Sequence, residues 1–110
     1  MLVPVLPKAI RAGVKIAAGS DFGGYSQEIN AGEIAALNRA GMTPMQAIQA
    51  ATRVGAELLG WENRIGTVEP GKLADLVAVP GDPLADLGLL AHPSFVMVGG
   101  RRVPLDLARH

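Results

Sequence analysis

The chain has 110 residues, of which 49% are hydrophobic, and ten basic side chains balance ten acidic ones to a formal net charge of zero. This length makes one small domain or a piece of a larger one, able to bury roughly two-thirds of its unfolded surface, and the apolar fraction argues against disorder. With no basic run beyond Arg101-Arg102, no apolar stretch near the ~20 residues of a membrane span and no cysteine, the expected partners are neither nucleic acid nor membrane, and a cytoplasmic setting fits.

Met1 to Lys8 lacks the basic lead and long apolar core of a signal peptide. Pro7 suits the first position of a short helix over Lys8 to Ala12, and Gly13 suits the left-handed residue past its end. Val14 to Ala18 then reads as a parallel strand buried on both faces. Gly19 and Ser20 let the chain turn, and Asp21 stands at the strand's carboxyl end, where α/β proteins place their chemistry. Phe22 to Gln27 is a glycine-rich loop.

Asn30, with Glu33 three residues on, has the pattern of a capping box opening a helix that stops at Gly41. Thr43-Pro44-Met45-Gln46 repeats that start signal, and Ile48, Ala51, Gly55, Leu58 and Leu59 recur at helical spacing until Gly60. From Gly66 the pattern is extended. Pro70-Gly71 occupies the centre of a type II turn, Asp75 to Val79 is a strand, Pro80 to Pro83 breaks it, and Leu84 to Leu90 admits a helical turn. Ser94 to Val98 and Arg101 to Pro104 flank Gly99-Gly100 as a hairpin. The likeliest boundary falls at residues 61–65, dividing the chain into 1–60 and 61–110.

Aromatic residues are few, so the core is expected from Ala, Val, Leu and Ile. For Asp21, spacing alone leaves two readings: a turn or N-cap acid after a strand, or an active-site carboxylate. Asp21-Phe22-Gly23 also spells a kinase magnesium motif, which the missing catalytic and nucleotide loops exclude. Gly19 to Gly24 has the composition of an anion nest but no lysine, which disfavours that role.

Three stretches carry a family resemblance: Ala12 to Asp21 (AGVKIAAGSD), Ala40 to Thr52 (AGMTPMQAIQAAT) and Ile65 to Val77 (IGTVEPGKLADLV). In order and spacing they resemble the carboxyl-terminal part of a metal-dependent amidohydrolase, in the imidazolonepropionase-like and Xaa-Pro dipeptidase-like (prolidase-like) branch. The resemblance implies an α/β fold in which residues 1–60 supply the last strand and closing helices of a (β/α)8 TIM barrel. Residues 61–110 would supply the carboxyl-terminal share of a small β-sandwich. It further implies that Asp21 is both a catalytic residue and a metal ligand, for zinc or another divalent ion. The expected reaction is hydrolysis of a carbon–nitrogen bond in a small amide or dipeptide-like substrate. A bound metal lowers the pKa of its water to ~7, and a nearby carboxylate can move that water's proton.

The family also carries a His-x-His pair, a mid-barrel lysine or glutamate and two later histidines. This chain has only His92 and His110. A catalytic zinc site generally takes three protein ligands, and a TIM barrel ~250 residues. The isolated chain is therefore expected to hold no metal and to be inactive. A second expectation comes from a different class: a non-catalytic module that self-associates as a homo-oligomer or completes a barrel with a complementary chain through exposed strand edges. His92 and His110 read as surface residues, Lys72 as a solvated turn residue, Asp75 as an acceptor for turn amides and Trp61 as packing at the boundary. Tyr25 and Glu28, in the loop after Asp21, are candidates for substrate contact.

Overall fold

The computed structural model describes residues 5–19 and 28–105, excepting the side chains of 28–30. Four helices precede a small sheet: α1 (Val5–Arg11), α2 (Glu28–Arg39), α3 (Pro44–Ala50) and α4 (Arg53–Leu59). Then come β1 (Leu76–Ala78), a 3₁₀ helix (Leu87–Ala91), β2 (Phe95–Val98) and β3 (Arg101–Arg102). The sheet is antiparallel in the order β1-β2-β3, with Val77 opposite Val96 and Val98 opposite Arg101.

The core lies among the helices. Leu37 of α2, Met42, and Ala47 and Ala50 of α3 are buried, with Leu6, Ile10, Ile16, Ala18, Ile34 and Leu87 packed around them. Ala47 is 0% exposed and Ala50 1%, so it is alanines that let α2 approach α3 closely. Burial of a side chain such as Leu37 contributes about 1.5–3 kcal/mol. Leu87 brings the 3₁₀ helix onto the same core, against α2.

Several expectations hold. Thr43 caps α3 through a complete capping box: its hydroxyl accepts from Gln46 N–H at 3.1 Å, and its own N–H donates to Gln46 Oε1 at 2.9 Å. Gly13 and Gly60 are left-handed, with φ of 80° and 73°. Gly99 and Gly100 both have positive φ, the mirror-image turn that matches the twist of a hairpin. Asp75 Oδ1 accepts from the Gly99 N–H at 2.7 Å, so it does hold a turn amide, at the hairpin tip.

Six expectations need correcting. Val14 to Ala18 belongs to no ladder, and no strand lies beside it among the described residues. A strand is defined by its partners, and Val14 stands 55% exposed. The first helix runs over Val5–Arg11 and carries Pro7 inside its first turn, where a proline costs no hydrogen bond. Asn30 lies inside α2, which already runs from Glu28, so it is not that helix's cap. Ile65 to Thr67 forms a bend, with Gly66 at φ 101°, and Val68 lies in no strand.

The expected long helix from Thr43 to Gly60 is broken at Ala51 and Thr52. The Thr52 hydroxyl donates back to the Ile48 carbonyl at 2.9 Å, a local bond that competes with helical continuation. The Ala51 and Thr52 N–H groups make tightened bonds to Ile48 and Gln49. The Ala50 carbonyl is taken by the Ala18 N–H at 2.9 Å.

Lys72 is no solvated turn residue. Its side chain is only 15% exposed, and Nζ donates to Thr67 Oγ1 at 2.6 Å and pairs with Glu69 Oε2 at 3.2 Å. The Thr67 hydroxyl in turn donates to Glu69. That hydroxyl first, and the Lys72 ammonium second, hold the Glu69 carboxyl below the usual carboxylate range.

Two outcomes are expected. Thr43→Ala removes the α3 cap and lowers unfolding free energy by about 1 kcal/mol, measurable by urea denaturation. Because the Glu69 pKa is depressed on folding, its stabilisation is present above the ordinary carboxylate range and lost as pH falls through it. The stability difference between the wild type and Glu69→Gln should therefore be full at neutral pH and close in acid. A pH series of urea melts checks this.

Candidate functional site

The segment that leads into Asp21 is fixed by local chemistry on one side and by α3 and α4 on the other. At its start, the left-handed Gly13 closes α1, and the Val14 N–H donates to the Ala9 carbonyl at 3.1 Å. Ile16 and Ala18 pack on the helical core. The Ala18 N–H then reaches the carbonyl that the α3–α4 break leaves open.

Lys15 is the one charged residue in this apolar run, and its Nζ donates to Glu57 Oε1 on α4 at 3.0 Å. Arg53, one turn earlier on α4, holds the other oxygen, Oε2, at 3.1 Å. The Lys15 hydrogen bond is the main cause that lowers the Glu57 pKa, and Arg53 adds to it. Lys15 is 76% exposed, so the pair orients the segment more than it stabilises the fold.

Two open cavities flank the segment. One, of about 290 Å³, runs past Val14, Ile16, Met42 and Gln49, and the other, of about 310 Å³, past Ala17, Val54 and Leu58. The first mixes apolar side chains with Lys15, Gln46, Gln49 and Arg53, the second is mainly apolar, and Glu57, the carboxylate in the second, is already committed to two cations. Neither cavity has a free base, a nucleophile or a set of metal ligands.

Among the described residues no group of three or more histidine, cysteine, aspartate or glutamate side chains is placed to hold a metal ion. His92 is exposed at the end of the 3₁₀ helix, its N–H bonded to the Leu89 carbonyl. Trp61 is 47% exposed, with the Arg64 guanidinium 5.1 Å from its ring centroid. Its resolved role is this stacking contact beside the Gly60 helix end. Asp21, Tyr25 and His110, along with the Asp21-Phe22-Gly23 run, lie outside the described residues, as do all but Gly19 of the glycine-rich stretch. Glu28 begins α2.

Sequence reasoning missed the Lys15–Glu57–Arg53 arrangement. Its available signals were the isolated charge within an apolar run and the four-residue spacing of Arg53 and Glu57. The Thr67–Glu69–Lys72 group was also missed, although its spacing within a tight turn was visible.

The chain matches known proteins over most of its length. An uncharacterized protein of Mycobacterium tuberculosis is 37% identical over 98 residues, which are 84% of this chain and 24% of that protein. The ochratoxinase of Aspergillus niger is 36% identical over 92 residues, 80% of this chain and 18% of the enzyme. A crystal structure of a Xaa-Pro dipeptidase with methionine bound in its active site superposes with a TM-score of 0.87 at 39% identity. That match covers 93% of this chain and 25% of the dipeptidase. The chain thus spans a quarter or less of the length of these relatives. No helix among the described residues is long and apolar enough to cross a membrane. The Amidohydrolase family model matches residues 3–103, and with that match the chain belongs to the amidohydrolase family.

Proposed function

We propose that these residues form the carboxyl-terminal portion of a metal-dependent hydrolase acting on carbon–nitrogen bonds of small amides, with dipeptide-like substrates first among them. The observation that carries this is the 0.87 TM-score match, at 39% identity, of nearly the whole chain to one quarter of a Xaa-Pro dipeptidase. Within that enzyme, Val14 to Ser20 would be the last strand of a (β/α)8 barrel, α2 to α4 its closing helices, and residues from 61 onward the share of a β-sandwich. On this reading a neighbouring barrel strand would cover Val14 to Ala18, which pairs with no strand among the described residues and leaves Val14 exposed. A cytoplasmic setting, which a chain without cysteine fits, is part of this reading.

Asp21 is this chain's proposed catalytic residue and metal ligand. The described residues do not complete a metal site, so no catalytic step is assigned to this chain alone, and the isolated chain is expected to be inactive. A divalent ion, zinc in the first instance, would supply an activated water. This chain's share is one carboxylate and the anchored segment that ends in it.

A second reading has its own support. Leu58, Leu59 and Val68 are 77%, 68% and 84% exposed, large apolar surface of the sort that marks an interface. On that reading the chain is a non-catalytic module that self-associates as a homo-oligomer or completes a barrel with a complementary chain.

The intact mass of the native polypeptide separates the two. A mass several-fold above 11.4 kDa supports the enzyme. In that longer polypeptide, Asp21→Asn should lower kcat/KM toward an Xaa-Pro dipeptide by more than ~100-fold, the upper range for losing a mere outer-shell partner of a metal. Bound zinc measured by mass spectrometry should fall with it. Full activity and full metal content in the variant overturn the assignment of Asp21. A native mass of 11.4 kDa favours the module, and sedimentation should then show a dimer or larger species, whereas a monomer sinks it.

A further inference from the structure

The third family-like stretch opens with a glycine that does more than turn the chain. Gly66 has φ 101°, and a Cβ built on it would stand 2.7 Å from Ala56 Cβ, 3.2 Å from the Thr52 carbonyl oxygen and 3.3 Å from Arg53 Cα. It is seated on the first turn of α4. Thr52 is the residue at which the α3–α4 helix is broken, and its carbonyl accepts the Ala56 N–H at 2.9 Å to start α4. Two residues earlier, the Ala50 carbonyl holds the Ala18 N–H. Three residues after Ala18 comes Asp21.

On the reading that Asp21 is a metal ligand, we propose that Gly66 is a positioning residue for the segment that delivers it. Gly66 lets the chain beyond α4 press on the Thr52 turn, and that contact holds the helix break in the geometry that presents the Ala50 carbonyl to Ala18. The coupling is contiguous: Gly66 to Thr52 and Ala56, across the break to Ala50, and from there to Ala18. Packed interiors resist displacement, yet a methyl 2.7 Å from Ala56 Cβ forces something in the Thr52 turn to shift. The first member to yield is Thr52, whose side chain gives α4 no capping bond.

Gly71 provides a matched control. It too has positive φ, 91°, but a Cβ there would meet nothing within 4 Å. Both substitutions to alanine therefore introduce backbone strain, and only that at Gly66 also introduces the clash.

The test is amide hydrogen exchange by NMR on the full 110-residue chain. In Gly66→Ala, the Ala18 amide should exchange at least about tenfold faster relative to the Met42 and Ala47 amides, a local opening beneath the global one. Gly71→Ala should change all three together. Adding Ala56→Gly to Gly66→Ala removes the methyl at 2.7 Å and should recover part of the Ala18 protection. A uniform change across all amides in Gly66→Ala, or no recovery in the double variant, overturns the proposal.

If Gly66→Ala does not fold, wild-type exchange in low urea decides. The Ala18 amide and the Leu73 amide, which bonds the Arg64 carbonyl, should then open with one common urea dependence, and different dependences overturn the coupling. Asp21→Asn should leave Ala18 protection unchanged, so failure of the metal assignment is read separately, from zinc content in the longer polypeptide.

Discussion

The hydrogen bond from the Ala18 N–H to the Ala50 carbonyl is the contact on which the rest of the arrangement depends. An unbroken helix would give that carbonyl to the N–H of Val54. The chain instead stops the helix at Ala51, folds the Thr52 hydroxyl back on Ile48, and restarts one residue later. The acceptor so released is the one that a strand-like segment with no neighbouring strand can use. Buried backbone groups require partners, and here a helix terminus supplies what a sheet would.

This trade explains the composition around it. Ala47 and Ala50 are the most buried residues of the core, and a larger side chain at either would hold α3 away from the segment it anchors. Ile16 and Ala18 fill the space between. Lys15, between Val14 and Ile16, instead points its charge at Glu57. The segment thus has one apolar anchor, one backbone anchor and one ionic guide. They hold from three directions a stretch that would otherwise be a single unpaired strand. The ionic guide is the weakest, being exposed to water.

Local signals were the most legible part of the sequence. The capping box at Thr43 and Gln46, the left-handed glycines at 13 and 60, and the two-glycine hairpin each depend on a few adjacent residues, and each formed as the residues dictate. The Ala51–Thr52 break was not legible, because helical periodicity runs straight through it. The carbonyl that the break frees is used by Ala18, more than thirty residues away. Lys72 was misread for the same reason: a lysine in a turn has no sequence mark that distinguishes water from a threonine and a glutamate folded beside it. Val14 to Ala18 shows the opposite failure. Its apolar run is a true strand signal, but a strand is a relation between segments, and the described residues contain no partner for it. At the candidate site, Asp21 is a reading from sequence and family resemblance that lies outside the described residues, whereas the anchoring of the Val14–Gly19 segment needed coordinates.

The same logic says why the third family-like stretch begins with glycine. A type II turn asks for glycine at position 71 on conformational grounds, and the open space around it makes that demand purely local. Gly66 has the additional demand of close approach, since its neighbours are the backbone and methyl group of another element. Close approach to a helix's first turn, where the peptide groups are least supported by intrahelical bonds, makes Gly66 a contact through which the β portion of the chain can act on the helices. Leu87 packs on the helical core and Gly66 stands against the helix break, and of these two it is Gly66 that lies beside Thr52, next to the opened Ala50 carbonyl.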